Sequence, residues 1–296
     1  MSLPDPVASA YRLGSTIAKT VPSPFVGGVS DLAGTAAAKL MRGRRDMVAR
    51  HQRRVRPELE GRALDRAVDA VFESYARYYV ESFRLPSLSP AELDAGFSFE
   101  GYDHVVRARE AGQGVIVALP HLGGWEWAAF WLTQIEHVPV TAVVEAIEPP
   151  ELFEWFVDFR RSLGMTVVPL GPRAGAESLR ALREGDVLCL LCDRDIAGGG
   201  VPVEFFGETT TLPAGPATLA LRTGAPVVPT AIYFDGDGHR AVVEPPLDIG
   251  RSGDGLRADV ARVTQQIAHA LERLISAAPE QWHLLQPNWP SDHAPT

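Results

Sequence analysis

Short apolar runs alternate with helical patterns over most of this sequence, and this alternation constrains the fold more than any other feature. The apolar runs are typical of buried strands and cover residues 115–119, 140–144, 167–170, 187–191, 201–206, 227–233 and 241–244. Helical spacing of apolar residues separates them near 125–134, 151–163, 176–184 and 217–222, and a long helical pattern follows near 256–277. We therefore expect an α/β fold with a mostly parallel central sheet flanked by helices.

The first 85 residues have a different character. Apolar residues recur at helical spacing in residues 5–21 and 25–41, and again in residues 64–79. Pro22 and Pro24 separate the first two segments, as helix-breaking residues do, so an N-terminal helical hairpin is predicted. Residues 1–80 carry 13 Lys or Arg against 8 Asp or Glu, although the whole chain has a net charge of −9.

Much of this positive charge is concentrated in a cluster of seven arginines: Arg42, Arg44, Arg45, Arg50, Arg53, Arg54 and Arg56. Such a cluster favours binding to an anionic surface, and the lack of interleaved aromatic residues favours lipid over nucleic acid. A solvated helix face is the alternative interpretation. We interpret residues 1–85 as a helical membrane-association region and residues 86–296 as an α/β domain, packed together as one compact unit.

Residues 1–41 lack a basic segment followed by an apolar stretch, and no apolar run is long enough to span a bilayer. We expect peripheral attachment to the cytoplasmic face of the plasma membrane, with neither a signal peptide nor a spanning helix. Cys189 and Cys192 form a Cys-x-x-Cys pair, which can mark a redox or zinc site. Their apolar surroundings favour buried packing instead, and no disulfide framework is present, as is usual in a reducing compartment.

The stretch LPHLGGWE directly follows the first strand of the α/β region and places His121 at the carboxyl end of that strand. Ligands in parallel sheets bind at these ends. On one continuous helix His121 and Glu126 would point about 140° apart, so they can pair only if the glycines let the loop fold back. The carboxylate would then hold one ring nitrogen and leave the other as the acceptor that a general base needs. Alternatively, His121 is an ordinary polar residue at a strand end.

Ionisable residues also follow the neighbouring predicted strands. Glu145 ends the second strand, Arg160 lies on the next helix, and Asp193, Arg194 and Asp195 follow the cysteine-containing strand. Charges at the same edge of three strands indicate a site. A surface ion pair is the alternative for Glu145 and Arg160, and Arg194 has the alternative of pairing with its two neighbouring aspartates. No metal-ligand cluster is evident, so no metal is expected.

These segments, taken in order, resemble the lysophospholipid acyltransferase superfamily. The resemblance rests on a His-x4-acid motif from His121 to Glu126, on Glu145 in TAVVEAIEPPELFEWF, on Arg160 in FRRSLGM, and on Asp193 in DRD before GGGVPVEFFGE. It is closest to the lipid A biosynthesis (lauroyl/myristoyl) acyltransferases, and within them to the actinobacterial phosphatidylinositol mannoside acyltransferases. It runs from about Tyr11 to Trp289. Glu126 is a departure, because the mannoside enzymes usually carry Asp there.

The resemblance implies transfer of an acyl group from acyl-CoA, or from acyl carrier protein, to a sugar hydroxyl of a glycolipid. His121 and Glu126 would be catalytic, and the N–H groups of Gly123 and Gly124, or a nearby Arg, would bind the oxyanion. Substrate-binding roles are expected for Glu145, Arg160, Asp193, Arg194 and Asp195, whose carboxylates can accept from sugar hydroxyls and whose guanidinium groups can bind phosphate. Acyl-CoA is a co-substrate, and no cofactor is expected.

Three alternatives stay open at this point. The first is that the acceptor is a lysophospholipid or another glycolipid instead of the mannoside. The second is that the same His–acid pair activates water in a thioesterase or hydrolase, although the Gly-x-Ser-x-Gly motif of α/β-hydrolases is missing. The third is that the chain is a lipid-binding protein without catalytic turnover, an interpretation that the intact His121 and Glu126 disfavour. Acyl-CoA assayed with and without an acceptor separates these functions.

Overall fold

The computed structural model describes residues 6–20 and 25–293. Its helices are α1 (Pro6–Ala18), α2 (Val26–Leu40), α3 (Arg42–Val55), α4 (Gly61–Arg84), α5 (Pro90–Ala95), α6 (Asp103–Glu110), α7 (Trp125–Gln134), α8 (Pro150–Ser162), α9 (Ala174–Glu184), α10 (Gly215–Thr223) and α11 (Leu256–Ala277). Its strands are β1 (Phe97–Glu100), β2 (Val115–Leu119), β3 (Val140–Val144), β4 (Thr166–Pro169), β5 (Val187–Leu191), β6 (Val201–Phe205), β7 (Glu208–Leu212), β8 (Val227–Asp235) and β9 (Gly238–Val243).

Seven strands form the central sheet in the order β1-β9-β8-β2-β5-β3-β4. Every neighbouring pair is parallel except β8 and β9. Strands β6 and β7 form a separate antiparallel hairpin. Helices cover both faces of the sheet, so its central strands are continuous apolar runs, and all five residues of β2 are buried. The predicted α/β class and the predicted N-terminal helices are confirmed.

Several elements begin and end at the predicted residues, namely β2, β3, β5, α7 and α11. Helices α3, α5 and α6 and strands β1 and β7 were not predicted from the sequence. Pro22 and Pro24, which were predicted to separate α1 from α2, lie outside the described residues. Both of these helices contact α4, which in turn joins the N-terminal helices to the rest of the chain.

The described residues form an apolar core with three parts. One face of the sheet buries α7 and α8 through residues such as Trp127 and Phe156, and it also includes Phe83 of α4. The opposite face buries α9, α10 and α11. A third cluster holds α2, α3 and α4 around Phe72 and includes Leu285 from near the C-terminus. The domain boundary at residue 85 stays a prediction.

Helix α3 and Arg56, which directly follows it, carry the arginine cluster, and much of this cluster binds the protein itself. Among the arginines whose side chains are described, four make ion pairs or hydrogen bonds within the chain: Arg45, Arg50, Arg54 and Arg56. Arg54, for example, pairs with Asp292 at 3.0 Å. Arg44 and Arg53 are exposed. The cluster therefore offers less free positive charge than its sequence suggested.

Helices α1 and α2 expose large apolar side chains at helical spacing. In α1 these are Leu13, 62% exposed, and Ile17, four residues later. In α2 they are Val29 and Leu32, which is 75% exposed. Across residues 6–20 and 25–293, no helix combines the length and the apolar character needed to cross a bilayer.

Candidate active site

A cavity of about 820 Å³ opens at the carboxyl ends of β2, β3 and β5. The structure brings six of the predicted site residues to its wall: His121, Gly123, Glu145, Arg160, Arg194 and Asp195. Most of the remaining wall is apolar and includes Leu119, Val144, Phe153, Phe156, Leu179 and Leu219. The cavity thus combines a polar cluster with room for an apolar chain.

The acid that holds His121 is Asp193. Nδ1 of His121 lies 2.6 Å from Oδ1 of Asp193, and the backbone N–H of His121 donates to Oδ2 of the same carboxylate at 3.0 Å. Asp193 is 0% exposed, whereas the side chain of His121 is 29% exposed. Because the carboxylate accepts from Nδ1, Nε2 is left as the acceptor nitrogen, and it has no hydrogen-bond partner among the described residues. This is the arrangement of an oriented general base.

Electrostatics within this pair match the geometry. Burial alone would lower the pKa of His121, but the Asp193 carboxylate outweighs it and raises the pKa above its ordinary value of 6.5. Burial would raise the pKa of Asp193, but His121 and the hydrogen bond from Trp282 hold it below its usual range. Asp193 is therefore ionised at neutral pH and stabilises an imidazolium.

Glu126 does not contact His121, so the predicted hydrogen bond between them is wrong. It lies in the first turn of α7, 1% exposed, and pairs with Arg160 at 2.9 Å. Tyr78 of α4 donates to the same carboxylate oxygen at 2.7 Å. Burial and the Glu126 charge raise the pKa of Tyr78 well above its ordinary value, so the phenol remains a donor. The loop after His121 turns the imidazole toward β5, while α7 directs Glu126 toward α4 and α8.

The two glycines between them form a close backbone contact with β8. Gly123 has φ of +57°, and a Cβ there would lie 1.8 Å from the carbonyl oxygen of Ile232. The N–H of Gly123 donates to the carbonyl of Gln281, and that of Gly124 donates to the carbonyl of Ile232. Since both N–H groups are bonded within the protein, the prediction that they bind an oxyanion is wrong.

The remaining predicted residues differ in their surroundings. Asp193 is buried against His121 and does not line the cavity, so it is not placed to accept from a sugar hydroxyl. Asp195 lines the cavity, but its carboxylate accepts from the N–H groups of Gly198 and Gly200, which holds the loop that follows it. Arg194 lies 3.8 Å from Glu145, so it pairs with this residue and not with its neighbouring aspartates.

Residues 279–293, which we call the C-terminal segment, contribute to the site and were not predicted to do so from the sequence. His283 lines the cavity, and its backbone N–H donates to the carbonyl of His121 at 2.7 Å. Its Nε2 lies 2.8 Å from Oγ of Ser74, and burial together with the nearby His121 lowers its pKa to about 3. Trp282 donates to Asp193, and both Trp282 and Trp289 are buried in the core. The only available signal was the run of aromatic and His residues in QWHLLQPNW.

The two cysteines are buried free thiols, as predicted. Burial raises the pKa of Cys189 to about 12, so it is not a thiolate at neutral pH. The thiol of Cys192 donates to the backbone carbonyl of Leu190, and burial also raises the pKa of this thiol. Within the described part of the chain, no group of His, Cys, Asp and Glu is arranged to hold a metal ion.

Comparison with known proteins identifies the family of this chain. Residues 6–291 match the family model described as bacterial lipid A biosynthesis acyltransferase. The phosphatidylinositol mannoside acyltransferase of Mycolicibacterium smegmatis is 38% identical over 285 residues, covering 95% of this chain and 91% of that protein. The protein of the same name from Mycobacterium tuberculosis is 43% identical over 228 residues, covering 75% and 70%. The chain is therefore an acyltransferase and belongs to the bacterial lipid A biosynthesis acyltransferase family, as the sequence resemblance indicated.

Proposed function

We propose that this enzyme transfers a fatty acyl chain from acyl-CoA to a sugar hydroxyl of a phosphatidylinositol mannoside, with His121 as the general base and Asp193 as the acid that orients it. The observation that carries this proposal is the position of His121. Its Nδ1 is held by a buried carboxylate, while its side chain borders a largely apolar cavity of about 820 Å³. This combination suits an oxygen nucleophile that must be deprotonated beside an acyl chain.

The reaction needs one base and no covalent enzyme intermediate. Nε2 of His121 takes the proton of the acceptor hydroxyl as its oxygen attacks the thioester carbonyl carbon. Asp193 stabilises the imidazolium that forms. Collapse of the tetrahedral intermediate breaks the C–S bond, and the imidazolium gives its proton to the departing thiolate. The products are the ester and free CoA.

The negative charge on the tetrahedral intermediate needs a stabilising group. Arg194 lies close enough to His121 for its charge to oppose protonation of the imidazole, and it lines the cavity. A guanidinium beside the reacting carbonyl supports an oxyanion by charge and by N–H donation. We assign this role to Arg194, because the Gly123 and Gly124 N–H groups are already bonded to backbone carbonyls.

The proposed acceptor is supported by the names of similar proteins and by the polar residues that line the cavity. The similar proteins from both mycobacteria are named for phosphatidylinositol mannoside. In this chain Glu145 lines the cavity next to Arg194, and a carboxylate there can accept hydrogen bonds from sugar hydroxyls. Arg160 also lines the cavity, but its guanidinium already forms an ion pair with Glu126. We therefore propose that Arg160 shapes the part of the cavity that binds the acceptor.

A panel of acceptors and donors tests this function. Palmitoyl-CoA is supplied to the purified enzyme with phosphatidylinositol mannoside, phosphatidylinositol or lysophospholipid, and products are identified by mass spectrometry. We expect acylation of the mannoside alone, with no release of free fatty acid when acceptor is omitted. Acylation of lysophospholipid alone would replace the acceptor, and fatty acid release without acceptor would indicate a thioesterase. Palmitoyl-carrier protein in a parallel reaction identifies the preferred donor.

We also propose that the enzyme attaches peripherally to the cytoplasmic face of the plasma membrane through α1 and α2. A glycolipid acceptor lies in a bilayer, so the enzyme must reach the bilayer surface. The exposed apolar side chains of α1 and α2 can be buried there, at about 25 cal/mol for each Å² removed from water. The exposed Arg44 and Arg53 would add attraction to anionic lipid.

Vesicle sedimentation tests this attachment. Leu13→Asp and Leu32→Asp each place a charge on the exposed apolar face, so we expect the vesicle-bound fraction to fall several-fold. Leu256→Asp is the matched control, because Leu256 is also exposed but lies at the start of α11. Adding salt should weaken binding only modestly, since most of the arginines described in the cluster are paired within the protein. Equal loss of binding in all three variants would contradict a role specific to α1 and α2.

A further inference from the structure

Asp193 is held by more than His121. Its Oδ2 accepts from the backbone N–H of His121 at 3.0 Å and from Nε1 of Trp282 at 2.8 Å. Its Oδ1 accepts from Nδ1 of His121. Among the described residues, Trp282 is thus the one side chain besides His121 that donates to this carboxylate. With two donors on Oδ2, the carboxylate plane is fixed and Oδ1 faces the imidazole.

The indole of Trp282 has little freedom to move. It is 1% exposed and packs against the rings of His51, Phe206 and Trp289. Side chains in such packed environments keep one rotamer. The direction of the indole N–H is therefore set by the packing around it and not by Asp193.

The C-terminal segment that carries Trp282 is itself tied to α3. His51 is within hydrogen-bond distance of the Leu284 carbonyl through Nδ1 and of Asp292 through Nε2. Arg54 pairs with Asp292 at 3.0 Å, and Gln52 donates to the carbonyl of Pro279. These buried contacts hold both ends of the segment. They give the polar residues of α3 a structural role near the active site.

We propose that Trp282 is a positioning residue for acyl transfer: its indole N–H fixes the Asp193 carboxylate in the orientation that holds His121 as a base. The inference rests on the proposed function of His121. Trp282 does not touch the cavity, so it acts through Asp193. Removing the N–H lets the carboxylate rotate and concentrates its charge on His121.

The experiment compares Trp282→Phe with Trp289→Phe. Trp289 is an equally buried tryptophan of the same segment, but its indole N–H donates to the backbone carbonyl of Phe205 at 3.0 Å. Each variant loses one buried hydrogen bond and similar ring volume. A purely structural role therefore predicts similar losses of melting temperature and activity in both.

We expect Trp282→Phe to lower kcat by about 10- to 100-fold, the usual penalty for a slightly misplaced catalytic group. We expect Trp289→Phe to stay within about threefold of wild type. The acid limb of the kcat/KM–pH profile reports the pKa of His121, which the nearby Arg194, Glu145 and His283 also influence. This limb should move to higher pH in Trp282→Phe alone, because Asp193 gives up one of the donors that share its charge.

Titration of His121 by NMR gives the same comparison without turnover. An imidazole pKa raised in Trp282→Phe but unchanged in Trp289→Phe supports the inference. Matching kcat values and matching His121 titrations in the two variants would overturn it. An inactive wild-type enzyme would instead refute the proposed function, and the NMR titration would still decide whether Trp282 controls the His121–Asp193 pair. If the phenylalanine variant does not fold, β-(3-benzothienyl)alanine at position 282 keeps the ring shape without an N–H.

Discussion

Replacing His121 with alanine should lower acyl transfer by about 10²- to 10⁴-fold, the range expected for loss of a general base. No other described side chain replaces it, because His283 already shares its Nε2 with Ser74 and has a pKa of about 3. The residual rate would come from the cavity, which still brings donor and acceptor together. Initial rates with palmitoyl-CoA and phosphatidylinositol mannoside measure the effect.

A second substitution separates catalysis from folding. Alanine removes the imidazole from the buried Asp193 carboxylate, which keeps only the backbone N–H of residue 121 and the indole N–H of Trp282 as donors. A buried charge that loses its ionisable partner is destabilising. His121→Gln retains an amide that can donate to Asp193, so we expect it to melt near the wild-type temperature and to be as inactive as alanine. His269→Ala, at an exposed position on α11, should retain full activity. Near wild-type turnover by either His121 variant would remove His121 from the mechanism.

Much of the fold followed from the sequence because burial on both sides of a parallel strand leaves a continuous apolar run. This is why β2, β3 and β5 were predicted with their ends correct. Helix α3 was missed because its inward-facing positions include His51 and Gln52, which are buried as hydrogen-bonding groups and not as apolar ones. Strand β1 was missed because it is a short edge strand with mostly exposed residues.

The site was predictable only in part. His121 was identified from its position after a strand, and Asp193 follows the adjacent strand β5 at the same edge of the sheet. Spacing along the chain did not show that the imidazole turns toward β5, so the nearby Glu126 was preferred over an acid 72 residues away. Trp282 is 89 residues from Asp193, and no local pattern connects them. Contacts across a fold depend on packing directions that short motifs do not encode.

Asp193→Asn should abolish most of the activity, by about 10²- to 10⁴-fold in kcat, through the tautomer of His121. The N–H groups of His121 and Trp282 both point at Oδ2, so the amide oxygen must occupy that position. The amide NH₂ then faces Nδ1 of His121 and donates to it. This moves the imidazole proton to Nε2, which can no longer accept one from the acceptor hydroxyl.

Glu126→Gln tests the other acid of the motif and should act by a different route. It leaves Arg160 without its buried counter-charge, so we expect the free energy of unfolding to fall by about 1.5–3 kcal/mol, the value of a hydrogen bond to a charged group. The rate of this variant can fall, but the acid limb of its pH–rate profile should stay at the wild-type position, above pH 6.5, because Glu126 does not contact His121. Urea unfolding and pH–rate profiles of both variants measure these effects. A shifted limb in Glu126→Gln together with an unchanged one in Asp193→Asn would return the orienting role to Glu126.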